Sequence, residues 1–342
     1  MREFTYDAQP MRVVLRPGSS ITATPQEAER LGLRRLLVIS GPRGAATARD
    51  VADALGGSCV GLHAEARMHV PAETADRAVE VARAAGADGC VAVGGGSAIG
   101  LAKVIALRTG MPLIAVPSTY AGSEMTPVWG LTEHGAKRTG RDPSVLPRCV
   151  VYDPELTLSL PVGNSVTSGI NAVAHAAEAL YAPDASPLVS LMAEEGARAM
   201  TEALPAVAAD HRNLDARGRA LYGAWLCGAA LGATTMGLHH KLCHALGAPS
   251  ACRTPRPTAW SCRTPSPTTR PPHPRPWRHS AEPWAPMTPR MPCGNWQAAS
   301  AHPAPWPNSA SGKPTWSWQH ARQAITRTPT HGRSPRQASW TY

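Results

Sequence analysis

The stretch Gly89-Cys-Val-Ala-Val-Gly-Gly-Gly-Ser-Ala-Ile-Gly-Leu-Ala-Lys103 leaves this chain few ways to fold. Its apolar run, residues 89–93, reads as a buried strand. Three glycines follow, and a helical pattern then runs from Ser97 to Leu107, with Gly110 and Pro112 as stop signals. Glycine lets a backbone turn sharply and come close to a ligand. Ser97 is placed to cap the helix. The free N–H groups and the positive dipole end of such a helix start attract a diphosphate. Gly94, Gly95, Gly96 and Ser97 are therefore candidate phosphate contacts. A tight βα turn without a ligand is the alternative, because the spacing is not the G-x-G-x-x-G dinucleotide fingerprint.

The segments on either side repeat the strand–helix rhythm. Residues 12–16, 35–40, 58–62, 112–117 and 149–153 read as strands. Residues 45–55 and 71–85 read as helices, and Thr24-Pro-Gln-Glu27 is a capping box that opens a short helix ending by Gly32. This alternation predicts right-handed βαβ units on a parallel sheet. In such sheets ligands sit at the carboxyl ends of strands. The glycine turn and Ser118-Thr-Tyr-Ala-Gly-Ser-Glu124 both lie at such ends and can face one cleft. Residues 131–147 read as a polar loop or hairpin carrying Lys137, Arg138 and Arg141. Beyond Asp153 no strand pattern returns, and 164–182, 187–208 and 214–246 read as helix. The expected fold is an α/β Rossmann-like parallel-sheet domain over 1–154, then an incomplete all-α domain over 155–247.

Charge and composition set off a third segment. Residues 1–247 hold 22 Lys+Arg against 23 Asp+Glu, and 248–342 hold 12 basic residues against one acid, Glu282, so the overall +10 belongs to the tail. The tail has 19 of the 34 prolines and 8 of the 10 tryptophans but no Leu, Val or Phe, so it lacks the material of a core. The eight cysteines form no C-x-x-C pair, and several lie in apolar strands or helices, as expected of a reduced, cytoplasmic protein. The N-terminus has no basic-then-apolar targeting pattern. Leu221 to Leu238 is uncharged for 18 residues, but its glycines and threonines suit a buried core helix better than a membrane span.

A second constellation follows the sheet. Asn171 and His175 lie four residues apart on one helix face, with Glu178 a turn further on, and His240 and His244 repeat that spacing around Lys241. Polar pairs in apolar, small-residue helices are costly to bury without partners. Either pair alone suits a hydrogen-bonded core group. Two pairs facing each other behind a phosphate-type turn suit a metal, a carboxylate-bearing substrate or proton transfer.

These stretches also carry a resemblance. Residues 94–103, Val116-Pro-Ser-Thr-Tyr-Ala-Gly-Ser-Glu-Met-Thr-Pro127, Tyr152-Asp-Pro-Glu-Leu-Thr157, 167–182 and Gly237-Leu-His-His-Lys-Leu-Cys-His-Ala-Leu-Gly247 resemble, in order, the iron-containing (group III) alcohol dehydrogenase superfamily. Within it they are most similar to the branch of maleylacetate reductases. The resemblance implies a domain that binds NADH or NADPH, a helical domain, and an active site between them. It implies reduction of the double bond of 2-maleylacetate to 3-oxoadipate in the breakdown of aromatic compounds. A small dicarboxylate substrate, a homodimer, and no membrane or nucleic-acid partner are implied as well.

Position by position, the resemblance assigns Gly94 to Ser97 to the pyrophosphate, Ser118 and Thr119 to the wall of the cofactor site, and Lys137 to the neighbourhood of the nucleotide. Asn171, His175 and His240 match three of the four metal-ligand positions. His244 matches an active-site histidine, and Tyr120 and Lys241 complete the expected catalytic set. Metal-dependent members carry Asp where Asn171 stands, and a neutral amide is a weak ligand for a hard divalent cation. Gly100 likewise replaces an Asp of alcohol-oxidising members. Both departures point to the reductase branch and to a reaction without metal, with substrate carboxylates held by His and Lys cations. A metal-dependent alcohol dehydrogenase of the same fold is the alternative. A nucleic-acid-binding protein acting through the basic tail is the alternative of another class, to be recognised by salt-dependent DNA binding of residues 248–342.

The resemblance stops after Gly247. The superfamily carries its fourth ligand-position histidine about ten residues beyond His244; here that position is about Thr254, in Ala251-Cys-Arg-Thr-Pro-Arg256. Cys-Arg-Thr-Pro recurs at 252 and 262, and proline at this density forbids regular helix. A disordered extension, a nucleic-acid-binding tail and translation of a GC-rich gene in the wrong frame are the three readings. The tail replaces half of a helical domain instead of following a whole one, which favours the frameshift. Such a chain leaves the face of the 214–246 helix uncovered and is expected to be poorly soluble and nearly inactive. Resequencing the gene across codons 240–260 is expected to show a shift near codon 248; an uninterrupted frame there removes this explanation.

Overall fold

Side chains of successive strand residues point to opposite faces of a sheet, and the apolar runs of this chain are long enough to need cover on both. The computed structural model, which describes residues 3–235 and 237, shows that cover. In chain order come β1 (Arg12–Leu15), α1 (Ser19–Arg30), β2 (Leu36–Ile39), α2 (Ala45–Leu55), β3 (Cys59–His63), α3 (Ala72–Ala84), β4 (Gly89–Gly94), α4 (Gly96–Thr109) and β5 (Leu113–Pro117). A hairpin of β6 (Val128–Glu133) and β7 (Ala136–Arg141) precedes β8 (Cys149–Tyr152). Six strands make one sheet in the order β1-β8-β5-β4-β2-β3, every neighbouring pair parallel. Leu36 and Val38 pack with Ala23, Ala28, Val51 and Leu55 on one face, and Leu37 and Ile39 pack with Ala75, Ala78, Ile99 and Ile105 on the other. A sheet buried on both faces is the reason its strands read as unbroken apolar runs.

The polar stretch around Lys137 is a hairpin. His134 and Gly135 join β6 to β7 with φ of 49° and 77°, the paired positive values of a type I′ turn, whose twist matches the strands it links.

The first helix departs from expectation. It begins at Ser19, so Thr24 and Pro25 lie inside it and Glu27 is not part of a capping box. The cap comes from 133 to 135 residues downstream in the sequence: Asp153 Oδ1 accepts from Gly18 N at 3.0 Å, and Asp153 Oδ2 accepts from Ser20 N at 2.9 Å and Ser20 Oγ at 2.6 Å. A carboxylate at the helix start serves both the free amides and the dipole. Glu27 instead accepts from Arg12 (2.8 Å) and Arg30 (2.6 Å).

Three helices form the second layer: α5 (Val162–Tyr181), α6 (Pro187–Ala209) and α7 (Leu214–Gly232). Ser186 and Asn213 cap α6 and α7. The helix expected over 214–246 ends at Gly232. Its last carbonyls are taken up by tertiary donors: Gln9 Nε2 donates to Gly232 O at 3.2 Å, and the Arg141 guanidinium donates to the carbonyls of Gly232 and Thr234. Asp184 then accepts from Thr235 N at 2.9 Å. Among the described residues no helix is long and apolar enough to cross a membrane. The tail over 248–342 and the part of the expected helix beyond Gly237 lie outside the described residues; over Leu214–Gly232 the face expected to be uncovered is buried, Ala220, Leu221, Ala224, Cys227 and Leu231 included.

The glycines of α7 are contact surfaces. A Cβ added to Gly228 would lie 2.4 Å from Gly122 O, and one added to Gly232 would lie 2.4 Å from Met125 O. The helix thus rests backbone to backbone on the loop that follows β5. Gly218, in the same helix, would meet only Pro154 Cγ at 3.4 Å. Gly228→Ala is expected to cost about 1–3 kcal/mol in urea unfolding, and Gly218→Ala to be neutral or to gain up to about 1 kcal/mol from helix propensity. Equal effects of the two substitutions would contradict this packing.

Candidate active site

The site starts where β4 meets α4. Gly94 leaves the strand at φ 140°, Gly95 is extended and occupies the cap position, and Gly96 opens the helix. Ser97 is therefore the second helical residue and does not cap, contrary to expectation. The reason is crowding: a Cβ at Gly95 would lie 2.9 Å from Thr119 Cγ2, so the cap position cannot carry a side chain. Gly95 O instead accepts from Ala98 N and Ile99 N. A Cβ on Gly96 would meet nothing within 4 Å. The turn thus exposes the first amides of α4, which have no partner inside the helix, in the form that suits a phosphate.

Ser118 and Thr119 stand beside this turn. Ser118 N donates to Gly94 O at 3.1 Å, continuing the pairing of β4 and β5, and Thr119 lies over Gly95. One residue further, Tyr120 N donates to Ser168 Oγ on α5 at 3.4 Å. Ser168, Asn171 and His175 share one face of that helix by their spacing. The loop after β5 therefore links the glycine turn to the second constellation. Asn171 Nδ2 lies 3.2 Å from His175 Nε2, and His175 and Glu178 are both buried. Gly237 sits over Glu178 and Tyr181: a Cβ there would lie 2.9 Å from Glu178 Oε1. His240, Lys241 and His244 lie outside the described residues.

Tyr120, expected among the catalytic groups, is a core residue. It is fully buried, and its hydroxyl accepts from Arg217 Nη1 at 3.1 Å. Arg217, itself fully buried, also donates to Ser165 Oγ (2.8 Å), His211 O (3.0 Å) and Leu160 O (3.2 Å). This guanidinium ties α7, the start of α5 and the loop after β5 together, and among the described residues its partners are hydrogen-bond acceptors and not carboxylates. No sequence periodicity marks it.

A second buried cation comes from α4. Lys103 Nζ donates to the carbonyls of Ser123 (2.6 Å), Thr126 (2.6 Å) and Val128 (3.0 Å), gripping the loop that carries Ser118 and Thr119. Burial pulls its ammonium down to about 7, and the charge of neighbouring Glu124 opposes that. Glu124, held by the Tyr152 hydroxyl at 2.8 Å, is raised above the usual carboxylate range chiefly by burial.

Lys137 projects from the exposed β7. Its charge and, first, burial keep the pKa of His69 below the ordinary imidazole value. Sequence reading did not single out His69. It and Val70 have φ of 64° and 47°, and φ > 0 is an outlier for a β-branched residue. Gly100 is what admits this bend, since a Cβ there would come 3.0 Å from Val70 Cγ2.

A model of the iron-containing alcohol dehydrogenase family matches residues 10–154, and the C-terminal model of the Fe-containing alcohol dehydrogenase family matches 165–260. Maleylacetate reductase of Rhizobium sp. (strain MTP-10005) is 56% identical over 247 residues, which are 72% of this chain and 70% of that protein. The chain belongs to the iron-containing alcohol dehydrogenase family. Maleylacetate reductase of Pseudomonas knackmussii is 53% identical over 71% of this chain and 69% of its own length. The solved structure of maleylacetate reductase from Agrobacterium tumefaciens superposes with a TM-score of 0.70 at 55% identity, covering 72% of this chain and 70% of that one. A putative alcohol dehydrogenase from Ralstonia eutropha JMP134 gives 0.71 at 59% identity, with the same coverage.

Of the residues that the resemblance matches to ligand positions, Asn171 and His175 are among those described. Their donors are one neutral amide and one imidazole in contact with each other. Among the described residues no three His, Cys, Asp or Glu side chains converge as a metal site would require.

The placement of Tyr120 has a measurable consequence. Tyr120→Phe is expected to cost about 0.5–1.5 kcal/mol of stability for one lost hydrogen bond and to leave dinucleotide affinity unchanged. Arg217→Met, which strands several buried acceptors, is expected to cost about 3 kcal/mol or more. A Tyr120→Phe protein of full stability that no longer binds dinucleotide would restore Tyr120 to the site.

Proposed function

We propose that this chain is a maleylacetate reductase, taking its reducing equivalent from NADH or NADPH. The observation that carries the reading is the close seat of Thr119 on Gly95, with the same loop bonded to the helix of Asn171 and His175. A phosphate-type turn and a buried imidazole are thereby joined through two adjacent residues. The glycine cradle fits a dinucleotide: Gly95 is crowded and Gly96 is open, so the amides of residues 96 and 97 would hold the pyrophosphate, with Ser118 and Thr119 along its flank. The bound nicotinamide supplies a hydride.

The chain's own side chains have the remaining tasks. The substrate carries two carboxylates, and cationic His and Lys groups bind such anions by charge-assisted hydrogen bonds. His175, His240, Lys241 and His244 are assigned that role, with Asn171 orienting His175 through their contact. His240 is three residues beyond Gly237, which lies over the turn of α5 next to His175. The proton that completes reduction comes from a histidine or lysine of this set, or from water. Lys137 is assigned to the nucleotide side, and the substrate is taken to be a small dicarboxylate in an enzyme that is homodimeric when folded and has no nucleic-acid partner.

The reaction is proposed to run without metal. The family's name carries iron, but at residue 171 this chain offers an amide, a weak ligand for a hard cation. The test is maleylacetate-dependent oxidation of NADH and NADPH by the purified full chain, with and without chelator, beside a metal assay. Turnover is expected to be slow, because the segment from 248 on is rich in proline and holds no Leu, Val or Phe with which to complete a helical domain, and to be indifferent to the chelator. Stoichiometric iron or zinc required for turnover would overturn the metal-free mechanism. Metal-dependent oxidation of a simple alcohol, without action on maleylacetate, would replace the reading with the alcohol dehydrogenase one.

A further inference from the structure

Strand order decides how a dinucleotide at the glycine turn must lie. On one side of β4 stands β5, whose loop reaches α5 and its Asn171–His175 pair. On the other side stands β2. With the reactive ring directed toward α5, the adenosine half extends over the carboxyl end of β2. Ile39 is in register with Ala92, so Ser40 and Gly41 come level with Val93 and Gly94. A Cβ on Gly44 would lie 3.8 Å from Val93 O, which places the β2–α2 connection directly beside the glycine turn.

That connection is rigid, and its polar surroundings are incomplete. Residues Pro42–Gly44 form a 3-10 turn, closed by Gly44 N donating to Gly41 O at 3.0 Å. Ser40 is pinned on both sides of its peptide, donating to His63 O and accepting from Ala66 N, each at 3.0 Å. Ser40 Oγ and His63 Nε2, at the carboxyl ends of β2 and β3, are buried and have no hydrogen-bond partner among the described residues. Arg43 is exposed on the turn. No acidic residue occurs from 40 to 49, and the first turn of α2 has none. Glu65, just beyond β3, lies 3.7 Å from Arg77.

A carboxylate beside an adenosine ribose accepts from its 2′-hydroxyl and repels a 2′-phosphate, whereas an arginine accommodates the phosphate. We infer that Arg43 reads the 2′-phosphate of the adenosine ribose, so that this chain binds NADPH at least as tightly as NADH. The inference rests on the reading of the glycine turn as a nicotinamide-dinucleotide site.

Titration of the full chain, R43A and R43E with NADH and NADPH, followed by the fluorescence of the bound reduced nicotinamide, tests it. Thermal melting shows whether the variants keep the fold, which substitution of an exposed side chain is expected to leave intact. In R43E the NADPH Kd should rise about tenfold or more while the NADH Kd changes less than about threefold, as loss of one charge-assisted contact requires; R43A should lie between. Unchanged NADPH binding in R43E, an equal weakening of both nucleotides, or rejection of NADPH by the unaltered chain would overturn the role of Arg43. Binding of neither nucleotide by the unaltered chain would instead remove the dinucleotide site itself, and this inference with it.

Discussion

The backbone of α7 lies against the backbone of the loop after β5, and the rest of the site depends on that approach. Gly228 faces Gly122 and Gly232 faces Met125 at distances no side chain could share. Close backbone packing of this kind has little slack, because an interior at crystal-like density transmits small displacements. The same loop holds Thr119 over Gly95 and ties Tyr120 to α5. The helical layer therefore sets the surroundings of the glycine turn as much as the sheet does.

Two buried basic side chains hold that arrangement. Lys103 reaches out of the phosphate-type helix and takes three carbonyls of the loop, and Arg217 reaches from α7 and takes the Tyr120 hydroxyl and the start of α5. A loop's carbonyls are costly to bury unmatched, and a multi-donor cation can satisfy several at once. Replacing either by an apolar side chain of similar size would leave the loop without those partners, which is why irregular backbone can run through the interior here.

Much of the sheet was legible before any coordinates. Apolar runs bounded by glycine and proline, with amphipathic segments between them, are local signals, and β2, α2, α3, β4, α4 and β5 follow them closely. The glycine turn was legible for the same reason, as was the Asn171–His175 contact, since residues four apart on a helix meet by geometry. The misread places share a cause. The start of α1 is set by Asp153, the end of α7 by Arg141 and Gln9, the empty cap at Gly95 by Thr119, and the burial of Tyr120 by Arg217. Each partner is remote in sequence, so no local pattern could announce it.

By itself, then, the sequence determined the alternation of strands and helices, the phosphate-type corner and the family, because each is written in short-range spacing or in ordered motifs. Only the tertiary structure decided which glycines press against neighbouring backbone and which stay open, which polar groups close the core, and on which side of β4 the loop to α5 and the β2–α2 connection lie. Those are properties of pairs of residues brought together by folding. The physical reason is that hydrogen bonds and close packing act over a few ångströms in space, whatever the distance along the chain.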